Sequence, residues 1–423
     1  MKAILLTIGD ELLAGTTVNT NAAWLGAELT ARGITVVRIE AVGDDPEAIC
    51  RALRRARAEA EVVIVCGGLG PTHDDRTREA LADCLGRPLQ LRPELLAQIE
   101  AYFERRGRVM PERNRVQALV PEGFEPIPNP VGTAPGLWLE DEAGIVAVLP
   151  GVPHELQTLM REVVLPRLMQ RPGRPAILHR TLITTGIGES DLQQRLAGVE
   201  SLLDEHTRLA YLPGPYGVRL RLTVEAPTAE AARERLAALE SFILERIGER
   251  FVGFDEETLE VVVGRLLREL GATVAVAESC TGGHLADCIT SVSGASTYFR
   301  GGVVAYDNAV KVEVLGVDSE VLAREGAVSE IVAIQMAQGV RERLGAQVAL
   351  STTGIAGPTG GTPDKPVGTV WIGLADAHSA FARCYYLPDE RRRFKQRATA
   401  AALDLLRLHL LQQKVTKTAS QYG

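Results

Sequence analysis

Short apolar runs alternate with stretches of helical period along most of the chain. Residues 3–8, 34–39, 62–66 and 145–149 are rich in Val, Ile and Leu. Residues 22–32, 46–60, 76–85 and 94–105 between them repeat apolar positions every three to four residues. Strand and helix in regular alternation predict an α/β domain with a mostly parallel sheet and helices on both faces. Asp44-Asp45-Pro46-Glu47 supplies caps and a first-turn proline for the helix that follows. Residues 121–135, dense in proline and glycine, are expected to form a loop, and residues 154–168 a closing helix.

Arg171-Pro172-Gly173-Arg174-Pro175 has the composition of a linker. A strand at 180–185, a Gly186-Ile187-Gly188 turn, a helix from Glu189, an alternating strand at 218–224 and a long helix at 228–247 then describe a small α+β unit. The turn Gly186-Ile187-Gly188-Glu189 resembles the glycine turn of RNA-binding KH modules. No basic neighbours accompany it, so a connector role is expected. A third α/β segment begins with a helix at 257–270 and continues through 273–276, 302–306, 327–344, 348–353 and 367–374. It ends in a helix at 389–412 and a polar tail, 414–423, expected to fray. The expected domains are therefore 1–170, 175–252 and 255–415.

Composition narrows the class. At 423 residues, length alone suggests about three domains. A hydrophobic share of 46% and a charged share of 24% are those of an ordinary globular protein. The net charge of −8 argues against nucleic acid as a partner. Six cysteines without a CxxC pair fit a reducing cytoplasm better than a disulfide framework. No secretory-type leader and no apolar run of ~18 residues is present, so neither export nor a membrane span is expected.

Two regions carry candidate chemistry. Thr7-Ile8-Gly9-Asp10-Glu11 follows the first strand, and Cys66-Gly67-Gly68-Leu69-Gly70-Pro71-Thr72-His73-Asp74-Asp75 follows the third. Both would emerge at the carboxyl ends of parallel strands, where open α/β sheets bind ligands. Glycines let a phosphate approach the backbone, and acidic side chains can hold a divalent ion bridging phosphates. Asp74 and Asp75 could instead cap the helix beginning near Arg76.

The richer region is 277–311. Ser279-Cys280-Thr281-Gly282-Gly283 lies between a strand and a helix, so Ser279, Thr281 and the N–H groups around Gly282 are candidates for an anion cradle. Ser296 sits in a second small-residue turn, and Tyr306 and Lys311 follow a strand-like run. A serine beside a lysine kept neutral by burial is an activated nucleophile that needs no histidine. A small-residue loop with a solvated lysine fits the same spacing.

GDELLAG with Asn19-Thr20-Asn21, then GGLGPTHDDRT, resembles the molybdopterin-binding fold of molybdenum-cofactor biosynthesis proteins, in the form found at the N-terminus of the CinA (competence/damage-inducible protein A) family. AESCTGG, GAS-x-YF-x-GGVVAYDN-x-VK, GAVSE and TTGIAGPTGGTPDKPVGTVW resemble that family's C-terminal amidohydrolase domain. The resemblance implies conversion of nicotinamide mononucleotide to nicotinic acid mononucleotide and ammonia, without a cofactor. It places Ser296, Tyr306, Lys311, Ser279 and Thr353 in the site. Thr281, Gly282, Gly283 and Gly354 would lie against the substrate, with Arg392 as phosphate partner. Ser296 is the expected nucleophile, Lys311 the base and Tyr306 a relay or oxyanion donor, with Ser279 as nucleophile the alternative.

For the first domain the resemblance implies a metal-dependent ADP-ribose pyrophosphohydrolase. Asp10, Glu11 and Asp75 would meet a divalent ion of open identity, and Gly68, Gly70 and Asn21 would meet the nucleotide. A bifunctional pyridine-nucleotide hydrolase, cytoplasmic and homodimeric, is the expected whole. A molybdopterin-type binding or adenylyl-transfer module and a competence-associated scaffold are the alternatives.

Overall fold

The computed structural model describes residues 1–170 and 176–422, so the expected linker at 171–175 lies outside the described residues. The chain divides into two compact units, Met1–Leu178 with Glu225–Arg233, and His179–Val224 with Glu234–Gly423.

The first unit runs β1 (Lys2–Ile8), α1 (Asp10–Leu13), α2 (Thr20–Thr30), β2 (Thr35–Val42), α3 (Pro46–Glu59), β3 (Val62–Cys66) and α4 (Thr77–Leu85). It continues with β4 (Leu89–Leu91), α5 (Pro93–Glu104), β5 (Leu119–Pro121), β6 (Glu125–Ile127), β7 (Gly136–Asp141), β8 (Gly144–Leu149), α6 (Pro153–Leu159) and α7 (Leu165–Met169). The sheet order is β2-β1-β3-β8-β7-β6. Its four strands β2, β1, β3 and β8 are parallel, and β7 and β6 are antiparallel additions.

Helices cover both faces: Leu6, Val63 and Val65 point into one core, and Leu5, Ile64 and Leu25 into the other. Asp45 caps α3 by accepting from Ala48 N, with Pro46 in the first turn, as the sequence predicts. The proline-rich stretch is not all loop. β6 lies inside it, because Glu125–Ile127 can pair with the edge of β7. A π turn, Met160–Val164, joins α6 to α7 next to Pro166, which lacks an N–H to give. The expectation of unpaired cysteines is also corrected. α3 packs on α4 and brings the Cα atoms of Cys50 and Cys84 within 5.2 Å, where the two are joined as a disulfide.

The chain continues through β9 (Ala176–Thr184), α8 (Glu189–Arg195), β10 (Thr207–Gly214), β11 (Gly217–Ala226), α9 (Ala229–Ile247) and β12 (Phe251–Phe254), a four-stranded sheet in the order β10-β11-β9-β12. Then follow α10 (Leu259–Leu270), β13 (Val274–Glu278), α11 (His284–Thr290), β14 (Phe299–Val304), α12 (Asn308–Glu313), α13 (Ser319–Glu325) and α14 (Glu330–Leu344). β15 (Val348–Gly354), β16 (Thr369–Ala375), β17 (Ala380–Tyr386) and α15 (Arg391–Tyr422) complete the fold.

This last sheet has the order β14-β13-β15-β16-β17. β14, β13 and β15 are parallel, and β16 and β17 close the edge antiparallel. One face packs on α10, α11 and α15 through residues such as Val276, Leu285 and Phe394. The other packs on α14 through Ala275, Ala277 and Met336. α15 stays helical through the polar tail expected to fray, and there Lys414 reaches Glu269 at 2.8 Å.

Candidate functional site

In the second unit β13 has β14 on one side and β15 on the other, so the chain turns to opposite sides around its carboxyl end. Such a switch point is where open α/β sheets hold ligands. Glu278 pairs with Val304 and with Thr352. Ser279, the next residue, therefore stands level with Ala305 and Thr353, and its N–H donates to Thr352 O at 2.9 Å. Lys311 comes to the same edge on α12, a helix capped by the Asp307 side chain.

Lys311 is 1% exposed, and its Nζ donates to Ala305 O at 2.8 Å and Tyr306 O at 3.2 Å. Burial holds the amine below the ordinary lysine value, with Asp307 opposing in part. A neutral amine has two N–H bonds and one lone pair. In that form both hydrogens would go to these two carbonyls, and the lone pair would be left to take a proton. Neighbouring Cys280 is not a competitor. Burial pushes its thiol up to about 12, so it carries no thiolate.

The expected pairing of Ser296 with Lys311 does not form. Ser296 lies in a short turn, Ala295–Thr297, ahead of β14, whereas Lys311 follows the carboxyl end of that strand. Six strand residues at ~3.3 Å each put roughly 20 Å between the two ends. Ser296 is exposed in a shallow hollow with Thr290 and Arg300. Ser279, the alternative, shares the edge with Lys311.

The expected anion cradle is also corrected. Glu278, 1% exposed, turns its carboxylate onto the start of α11 and accepts from Gly283 N, Leu285 N and Ala286 N at 2.8–3.0 Å. The amides that would have met a phosphate already have an internal anion. Thr281 is fully buried with its hydroxyl 2.7 Å from that of Thr352, so it meets no substrate. Gly354 serves strand pairing, since a Cβ there would come within 2.7 Å of Thr369 O. Thr353 is buried and donates to Ala327 O at 2.6 Å.

Tyr306 is exposed at the edge, and its hydroxyl accepts from Arg391 at 2.7 Å while Arg391 also donates to Gly357 O at 2.9 Å. The phenolic proton is thereby left to point at a ligand. Arg392 lines a cleft of about 440 Å³ beside Gly282 and Gly283, together with Lys395. Arg391, Lys395 and Glu278 were missed by sequence reasoning. The run Arg391-Arg392-Arg393 was visible, but which arginine faces the sheet edge depends on how α15 docks.

In the first unit the two glycine turns do meet at one cleft of about 420 Å³, which also takes in Asp44, Asp74 and Glu155. Gly68 has φ 66° and sits against Thr77, whose hydroxyl donates to Gly67 O at 2.9 Å. Asp75 accepts from Gly70 N at 2.8 Å and from Thr72 N at 3.0 Å, and a Cβ at Gly70 would strike its carboxylate. Asp10 and Asp44 bond reciprocally through side chain and backbone. Asn21 donates to Gly151 O at 2.7 Å and so braces the loop after β8.

Two contributors went unread in the sequence. Arg78, 2% exposed, holds Leu69 O and Gly70 O at 2.6 and 2.8 Å. Glu155 reaches the cleft from α6. Burial, with Asp10, Glu11 and Asp74 nearby, pushes the Asp44 carboxyl up, and burial does the same for Glu155.

Among the described residues no group of three or more His, Cys, Asp or Glu side chains is arranged to hold a metal ion. Asp75 accepts from Gly70 N, Thr72 N and the Thr72 hydroxyl within its own turn, and Asp10 and Glu11 are not gathered with it in such a group. No described helix is long and apolar enough to cross a membrane.

Fold and edge geometry define a protein of two α/β units, the second with a serine and a buried lysine at its sheet switch point. Residues 4–170 match the family described as probable molybdopterin binding domain, 179–253 the damage-inducible protein CinA KH domain and 256–410 the CinA C-terminal domain. A CinA-like protein of Salinibacter ruber is 51% identical over 96% of this chain and 98% of its own length. A putative competence-damage inducible protein of Moorella thermoacetica is 45% identical over 96% and 98%. The crystal structure of CinA from Thermoplasma acidophilum is 40% identical and covers 40% of this chain and 97% of its own, with a TM-score of 0.37. The chain belongs to the CinA family.

Proposed function

We propose that the second unit hydrolyses the carboxamide of nicotinamide mononucleotide, with Ser279 as nucleophile and Lys311 as base. The observation that carries this reading is the buried Lys311 amine, which donates to two carbonyls at the level of Ser279. Ser279 Oγ attacks the amide carbon while Lys311 Nζ takes its proton. The C–N bond then breaks, ammonia leaves with the proton returned from Lys311, and an ester to Ser279 remains. Water hydrolyses that ester, giving up its proton to Lys311 for return to Ser279. Tyr306, held by Arg391, donates to the oxygen on which charge develops. Arg392 and Lys395 supply positive charge for the 5′-phosphate.

Protonation of Lys311 removes its lone pair, so kcat/KM should fall as pH drops through its depressed pKa, and on the rising side it should reach its plateau before the ordinary lysine value of 10.5. A pH–rate profile with no acid limb attributable to Lys311, unchanged in Lys311→Arg, would count against this base.

The first unit supports a second activity of the same recycling class, cleavage of the pyrophosphate of ADP-ribose. Its cleft gathers Glu11, Asp44, Asp74 and Glu155, so a bare pyrophosphate would meet repulsion there. The substrate is therefore expected as its divalent-cation complex, the cation entering with the phosphates. Excess chelator should abolish AMP release from ADP-ribose and leave ammonia release from nicotinamide mononucleotide unchanged. Loss of both activities would show that the two sites do not work separately.

A further inference from the structure

With the α11 amides occupied by Glu278, an anion in the adjoining cleft has to be held by side chains. Arg392, Lys395 and His284 line it, with the Asp287 carboxylate at the rim. His284 is fixed in place. Tyr216, at the turn between β10 and β11, sets its hydroxyl 3.0 Å from His284 Nε2. Cys288, one turn along α11, lies 3.9 Å from the same nitrogen and 4.0 Å from the Tyr216 hydroxyl.

Burial, reinforced by Cys288, pushes the Tyr216 phenol above the ordinary tyrosine range, so its O–H is available to donate to His284 Nε2 at 3.0 Å. With Tyr216 as the donor, Nε2 accepts and the ring proton sits on Nδ1. Nδ1 lies 3.9 Å from Asp287 Oδ2, a residue that shares the cleft, and so presents an N–H there. The cleft adjoins the reacting groups: Gly282 N donates to Ser279 O, and Arg391, which holds Tyr306, precedes Arg392.

We propose that His284 is a third ligand, beside Arg392 and Lys395, for the 5′-phosphate of the mononucleotide, and that Tyr216 of the middle segment is the positioning residue that fixes its tautomer and orientation. The phosphate's place on a mononucleotide rests on the amidohydrolase reading; its capture by His284 does not. The KH-like segment thus completes a binding site and is more than a spacer.

The test uses the full chain with nicotinamide mononucleotide and with nicotinamide riboside, which lacks the phosphate. His284→Ala should raise KM for the mononucleotide roughly tenfold with kcat within about twofold, and leave kcat/KM for the riboside unchanged. Tyr216→Phe should raise the same KM about threefold. His284→Asn, whose amide can stand in for Nδ1–H, should retain more affinity than His284→Gln. An unchanged KM in Tyr216→Phe, or equal losses on both substrates, would overturn the proposal.

Titration with inorganic phosphate, followed by the imidazole ¹⁵N resonances of His284, separates the two ideas. A protonated Nδ1 that shifts on titration supports the site even if no amide is hydrolysed, in which case only the amidohydrolase reading fails. Resonances that stay put remove His284 from the site.

Discussion

Ser279→Ala should lower ammonia release from nicotinamide mononucleotide on the order of 10⁴-fold, and Lys311→Ala by a similar factor. The double variant should be scarcely worse than either single one, because a nucleophile and its base act as one unit. Ser296→Ala should stay within about twofold of the parent, since β14 stands between Ser296 and the lysine. Steady-state rates on the four proteins decide the matter. A dead Ser296→Ala beside an active Ser279→Ala would require a rearranged sheet edge, contrary to the register of β13 with β14. Lys311→Met tests the base separately, because it keeps much of the buried volume and removes the amine.

Glu278→Ala should destabilise the second unit by about 3 kcal/mol or more. Three amides at the start of α11 would lose a charged acceptor while remaining inside the protein, and unmade hydrogen bonds there cost more than formed ones return. Glu278→Gln should recover part of the loss, since one carbonyl oxygen still accepts although its NH₂ faces donors. Hydrogen exchange of the β13 and α11 amides in the full chain reads the effect without assuming that both units unfold together. Exchange within about 1 kcal/mol of the parent would show that water replaces the carboxylate without loss.

The inner strands of both parallel cores, β1, β3, β8, β13 and β15, were legible because apolar runs such as Val62–Cys66 are buried on both faces. β7, β10 and β17 were not. They carry exposed or glycine- and proline-flanked residues, as edge strands and hairpins do, and their pairing rather than their composition makes them strands. Ser279, Tyr306 and Lys311 could be picked out from their motifs, yet the choice between serines turned on strand polarity. The strand was read at 302–306 when it occupies Phe299–Val304, which concealed how much of it lies between Ser296 and the edge. Glu278 was overlooked for a different reason. A glycine turn before a helix was assumed to offer free amides, and a carboxylate at the end of the preceding strand can fill them.

Arg391 joins the end of β14 to the loop at Gly357, and it belongs to the first turn of the final helix. Ser279 is made more than a hundred residues earlier, so the serine and the lysine are in the chain before the arginine is. Arrival of the last helix then arms the edge. A nascent or C-terminally clipped chain would keep its serine and lysine but lack the clamp on Tyr306 and the charges of Arg392 and Lys395. The clamp on Tyr306 and the positive charge beside Gly282 and Gly283 are therefore assembled only when the first turn of α15 docks.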